Sequence, residues 1–126
     1  MIMERKIQIR IGERKVDAIL NNSETAGMFY DALPKKIRMQ RWGEEYYGDC
    51  DLMVERSKDA RQDMEVGELA IWTDGSALCI FFGPTPASTG DTPRAVSPVN
   101  PIGRIAGDIS FLKTLPVSIT VEVEKG

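Results

Sequence analysis

The densest cluster of side chains able to recognise a ligand is Arg41-Trp42-Gly43-Glu44-Glu45-Tyr46-Tyr47-Gly48-Asp49. On an extended segment residues two apart share a face, so a large ring and a charged group can line one side of a pocket together. The Arg41 guanidinium can donate to a carbonyl or a carboxylate, and the rings beside it can hold an apolar group by area and stacking. The plainer roles stay open: arginine on a strand is commonly solvated, and Tyr and Trp commonly pack with their polar tips satisfied. Glu44 and Glu45 are adjacent, which in a strand sends them to opposite faces, so they do not form the facing carboxyl pair of a glycosidase. Both are expected in solvent, as is the short basic run of Lys35, Lys36 and Arg38.

The second constellation is Trp72 followed by Ala77-Leu78-Cys79-Ile80-Phe81-Phe82-Gly83-Pro84-Thr85-Pro86. Such an apolar run is a strand buried on both sides, or on one side by core and on the other by a pocket wall. Cys79 has no obvious group to lower its pKa, so core packing is the expectation and a nucleophilic role is not. Cys50 and Cys79 lack the spacing of a metal site or redox pair and read as reduced and partly buried. With no histidine in the chain, Ser-His-Asp, Cys-His and His-metal mechanisms are excluded within it. No phosphate-binding loop, dinucleotide fingerprint, nucleophile elbow or zinc-protease motif occurs. The residues identify no catalytic group, metal or cofactor.

The 126 residues suit one domain, 1–126, with a core that needs no disulfide or metal staple. At 42% hydrophobic and 28% charged residues the chain is too apolar for disorder. A net charge of −3 gives no electrostatic reason to bind nucleic acid or anionic lipid. Charged and apolar residues alternate from Met1 to Ile11, unlike an export signal, and no stretch approaches a membrane span. The cytoplasm is the expected location.

Several elements must position these clusters. Ile7, Ile9 and Ile11, then Gly12-Glu13, then Val16, Ala18 and Leu20 spell a hairpin with one buried face. Asn22 or Ser23 can cap a short helix carrying Ala26, Phe29, Tyr30 and Leu33, stopped by Pro34. Further strands are expected at Ile37–Arg41, Glu45–Tyr47, Leu52–Glu55, Glu68–Trp72, Ala77–Phe82, Ile102–Ile105 and Val117–Val123, with a turn around Asp74-Gly75. A second short helix is expected from Asp108 as cap to Leu115. The sum is about eight strands and two short helices, which argues for a closed barrel or a sandwich. From Pro84 to Pro101 the prolines predict one long irregular loop, of the kind that is often functional.

These stretches together resemble the cyclophilin-like superfamily, most closely its small prokaryotic branch of single-domain proteins. The resemblance is carried by Asn22-Ser23-Glu24-Thr25-Ala26 to Leu33-Pro34, Arg41-Trp42-Gly43-Glu44-Glu45-Tyr46-Tyr47, Gly67 to Trp72, Ala77 to Pro86, and Ser97-Pro98-Val99-Asn100-Pro101-Ile102-Gly103-Arg104-Ile105. It implies a mainly β fold: a closed eight-stranded β-barrel with two short capping helices. Prolyl isomerases of the superfamily carry an Arg, an aromatic-Met pair five residues on, and then a Gln. Arg41, Tyr46, Tyr47 and Asp49 fall at those places. Their Ser-Gln-Phe-Phe strand is resembled by Cys79-Ile80-Phe81-Phe82, which makes Phe82 a pocket floor and puts Ile80 where an amide stands. Their pocket Trp and His have no counterpart.

The resulting expectation is a binding module whose pocket, lined by Arg41, Tyr46, Tyr47, Asp49, Ile80 and Phe82, takes a peptide or small carboxylate. A weak peptidyl-prolyl cis-trans isomerase is the first alternative, because isomerisation needs no nucleophile. An accessory barrel like those of amidases acting on urea derivatives or 5-oxoproline is the second. Oligomeric state is left open. A one-residue slip in register would exchange Ile80 for Phe81 at the pocket wall.

Overall fold

The alternation of isoleucine with polar residues folds β1 (Arg5–Ile11) and β2 (Arg14–Leu20) into an antiparallel hairpin in which Ile9 faces Val16. In the computed structural model, which describes residues 5–126, this hairpin starts a closed barrel. The other strands are β3 (Lys35–Arg41), β4 (Glu45–Asp49), β5 (Arg61–Asp63), β6 (Glu68–Trp72), β7 (Ala77–Phe81), β8 (Arg94–Ile105) and β9 (Ser118–Lys125). Neighbours run β2-β1-β9-β3-β4-β7-β6-β8, and β8 returns to β2 through Ala18 opposite Ile105 and Leu20 opposite Gly103. The barrel therefore has eight antiparallel strands and no open edge. The short β5 lies outside it, paired to the first half of β8.

Inward residues fill the barrel: Ile7, Ile9, Ile37, Met39, Leu69, Leu78, Ile80, Ile102 and Val121 are all essentially buried. Each such side chain contributes roughly 1.5–3 kcal/mol by leaving water. Ser23 caps helix α1 (Glu24–Asp31) by accepting from the Ala26 N–H at 3.1 Å, and Asn21 Oδ1 in turn accepts from the Ser23 N–H at 3.0 Å. Phe29 and Ala26 bury against the barrel core.

The structure corrects several expectations. The second short helix is present as a 3-10 turn, Ser110–Thr114, shorter than the expected span; Asp108 Oδ1 accepts from the Ser110 N–H, and Leu112 is the buried anchor. Residues 52–55 form no strand; the end of this segment is held by the buried Asn100 side chain, which accepts from the Ser57 N–H and donates to the Glu55 carbonyl at 2.9 Å each. The irregular loop ends at Pro93, and the segment beyond it is the longest strand. Its prolines fit because Pro101 sits where the β6–β8 register shifts, a position that tolerates a missing N–H. β5 was not foreseen, since Arg-Gln-Asp carries no apolar alternation. The expectation about an export signal falls in part on residues 1–4, outside the described residues. Among the described residues no helix is long and apolar enough to cross a membrane.

Candidate functional site

The β3–β4 hairpin sets the site. Trp42 and Glu45 exchange backbone hydrogen bonds, Trp42 N–H to Glu45 O at 2.8 Å and Glu45 N–H to Trp42 O at 3.2 Å. Only Gly43 and Glu44 lie between them. Gly43 has φ +61°, and a Cβ there would stand 2.7 Å from Pro86 Cδ and 2.8 Å from Thr85 Cα. A glycine at the first central position is what a tight two-residue hairpin turn of this hand requires.

From that turn onward the strand alternates. Tyr46 opposes Ile80 on the inward face, whereas Glu45 opposes Phe81 and Tyr47 opposes Cys79 on the outward face. The outward face is not solvated, because the first half of β8 crosses above it. Ala70, Cys79, Phe81, Ala95, Val99 and Met64 form a second apolar cluster there, with Tyr47 and Trp72 packed on it. The apolar β7 run is thus buried by core on one side and by a covered outer face on the other.

Between this face and its cover lies a cavity of about 240 Å³. Glu45, Tyr47 and Cys79 come from the barrel wall, Trp42 from the hairpin turn and Trp72 from the end of β6, while Ala95, Val96 and Val99 of β8 form the roof. The roof is braced by polar contacts. Trp72 Nε1 donates to Ser97 Oγ at 2.8 Å, Gln62 Nε2 donates to Ala95 O at 3.1 Å, and Arg94 pairs with Asp63 at 2.8 Å.

Glu45 is the unusual member. It is 5% exposed, and its Oε1 has no hydrogen-bond partner, alone among buried side-chain polar atoms of the described residues. Burial raises its carboxyl from 4.5 to about 7, outweighing the lowering effect of the adjacent Cys79 thiol. Cys79 Sγ itself is directed at Ala77 O, 4.0 Å away. Burial first, and then the neighbouring Glu45 carboxyl, hold the Cys79 thiol well above its ordinary range, so it stays protonated.

The residues predicted to bind ligand are divided between the two faces. Arg41, Tyr46, Ile80 and Phe82 lie together on the inward side. Arg41 Nε donates to Gly43 O at 2.8 Å, Nη1 donates to Lys113 O at 2.9 Å, and Nη2 lies 3.8 Å from Glu44. The guanidinium also covers the Phe82 ring at 5.1 Å, Phe82 stacks on Tyr46 at 5.5 Å, and the Tyr46 hydroxyl donates to Pro116 O. Ile80 is fully buried in the barrel core. Tyr47 lines the outer cavity, and Asp49 is exposed and accepts from the Asp51 N–H at 2.8 Å. The expectation of a solvated Glu45 is corrected by its burial. Sequence reasoning missed Glu45, Trp42 and the β8 roof as a unit. The available signal was Gly43-Glu44 as a two-residue turn, which puts Trp42 and Glu45 side by side.

A family model described as cyclophilin-like matches residues 5–124. Among solved structures, the solution structure of a hypothetical protein from Archaeoglobus fulgidus superposes with a TM-score of 0.81 at 35% identity, covering 98% of this chain and 95% of that one. No curated protein matches the chain.

Proposed function

The chain belongs to the cyclophilin-like family, and from that premise we propose that it is a binding module holding a small organic molecule or a peptide side chain in the outer cavity under β8. The observation that carries this reading is the Glu45 carboxyl: its residue lines an otherwise apolar cavity, and its Oε1 is a buried acceptor without a donor. A buried polar atom left unpaired costs about 1–3 kcal/mol, and a ligand that supplies the donor recovers it. Apolar walls with one placed polar group are the usual composition of a small-molecule site.

The polarity of that group bears on the ligand. A carboxylate ligand would face the Glu45 carboxyl in a dry space, and Arg41 is committed to carbonyls elsewhere. A donor-bearing ligand meets no such opposition. The isomerase alternative needs an arginine at the bound amide, and Arg41 does not line this cavity. Binding without isomerisation is therefore the reading we favour.

A fragment screen by amide NMR on the full chain tests it. Neutral donor-bearing fragments should shift the Trp72 indole N–H and the backbone signals of Glu45, Val96 and Val99. Shifts confined to Arg41 and Lys113, or none at all, would overturn the reading. X-Pro exchange rates should be unchanged by Arg41→Ala.

A further inference from the structure

Resting on the reading of the outer cavity as a binding site, we propose that its ligand class is an alkylated ammonium, with the cationic nitrogen against the Glu45 carboxyl and its alkyl groups on Trp42, Tyr47 and Trp72. The starting point is charge. Glu45 Oε1 is sealed from water and lacks a partner, and no lysine or arginine lines the cavity among the described residues. The nearby guanidiniums are engaged elsewhere: Arg41 by the Gly43 and Lys113 carbonyls, Arg94 by Asp63 and Gln62, and Arg61 by both oxygens of Glu68. The protein therefore supplies no cation to this carboxyl, and a cationic ligand supplies one to its ionised form.

The walls select the kind of cation. Three aromatic side chains from three separate elements line the same cavity as this carboxyl, and aromatic quadrupoles attract an organic cation that sheds its water easily. Ala95, Val96 and Val99 offer only apolar surface to the rest of the molecule. A metal ion is not suited, because metals of this charge need several oxygen, nitrogen or sulfur donors. Among the described residues no group of three His, Cys, Asp or Glu side chains converges to provide them. An anion would oppose Glu45 directly. A neutral amide satisfies the carboxyl through its N–H but gains nothing from the rings as a cation does.

The experiment compares protonated N,N-dimethylethanolamine with its neutral carbon isostere 3-methylbutan-1-ol, and with N-methylacetamide as a neutral N–H donor. Each is titrated by NMR into the full chain at pH 7.5. The ammonium should bind at least tenfold more tightly than either neutral probe, with shifts at Trp72 Nε1–H and Glu45. Glu45→Gln, nearly the same shape, should reduce that preference to about twofold or less while leaving the alcohol's affinity unchanged. Trp42→Leu, which leaves the carboxyl in place, should weaken the ammonium several-fold more than the alcohol.

A neutral probe that binds as tightly as the ammonium at this cavity overturns the inference and leaves the binding-site reading standing. Binding of none of the three, in protein with an intact folded spectrum, also overturns it. The binding-site reading falls only if the neutral fragments fail as well.

Discussion

Trp42 and Glu45 face each other across a two-residue turn, each N–H bonded to the other's carbonyl, at 2.8 and 3.2 Å. This pair decides which face of β4 carries which chemistry. With Glu45 placed outward beside Trp42, period-two alternation sends Tyr46 into the barrel and Tyr47 out to the cavity. The loop after β7 holds the same turn in place: Glu44 N–H donates to Pro84 O at 2.8 Å, and Phe82 N–H donates to Glu44 O at 2.9 Å.

Gly43→Ala should therefore damage both fold and site. The substitution places a Cβ at φ +61° and within 2.8 Å of the Thr85 backbone, which has no room to yield. Left-handed strain and overpacking together should cost about 2–4 kcal/mol. Urea unfolding should show a lower midpoint at unchanged slope, and ligand shifts at Trp72 should weaken. A midpoint equal to wild type would mean the turn relaxes freely and does not hold the hairpin.

The raised carboxyl of Glu45 makes stability depend on pH with a definite sign. Burial moves it from 4.5 to about 7, so the folded protein keeps a proton that the unfolded chain has released across that window. The folded state then binds more protons, and its stability from this group is full below about pH 4.5, falls as pH rises, and levels off above about pH 7. The fall amounts to about 3 kcal/mol. Glu45→Gln should flatten it and be the more stable protein at pH 8, as read by urea unfolding at pH 5 and pH 8. Equal slopes in the two proteins would show that another group titrates.

How much of this was legible in the sequence depended on what each residue's signal encodes. Ile7, Ile9 and Ile11, and Val121 and Val123, announced their strands because one face is core and the other water. Ser23 announced its helix through capping chemistry. The faces of β4 were less accessible, since Tyr46 and Tyr47 look alike in type and only the position of the Gly43-Glu44 turn separates them. The first half of β8 was hidden because Pro98 and Pro101 suppress the strand signal, although one lies at a register shift. Without that strand, Glu45 had no cover and read as a surface residue. The cavity is a tertiary feature made by a segment passing over a sheet, and local periodicity does not encode the passage.

Asn100 should prove to be a fastening point for the irregular segment after β4. It is 1% exposed, donates to Thr25 Oγ1 at 3.0 Å and to Glu55 O at 2.9 Å, and accepts from the Ser57 N–H at 2.9 Å. Asn100→Leu leaves all three partners without their bond, at a cost of about 2–4 kcal/mol. Limited proteolysis should then cut between residues 50 and 60 faster than in wild type. Unchanged cutting would assign the order of that segment to the buried Leu52 instead.

Ser97→Ala should loosen the roof of the cavity without unfolding the barrel. Ser97 Oγ accepts from Trp72 Nε1 at 2.8 Å and lies 3.3 Å from Asp74 Oδ2, so it ties β8 to the β6–β7 turn. The substitution removes the acceptor from a partly buried indole N–H and should cost about 1 kcal/mol. The covering half of β8 also rests on β5 through the Arg94–Asp63 and Gln62 contacts, which the change leaves intact. Opening should therefore be local: hydrogen exchange should accelerate in residues 94–99 while amides of β1 and β9 keep their protection. Acceleration spread equally over the barrel would mean that the roof opens only with global unfolding, and that entry to the Glu45 cavity requires no separate movement of β8.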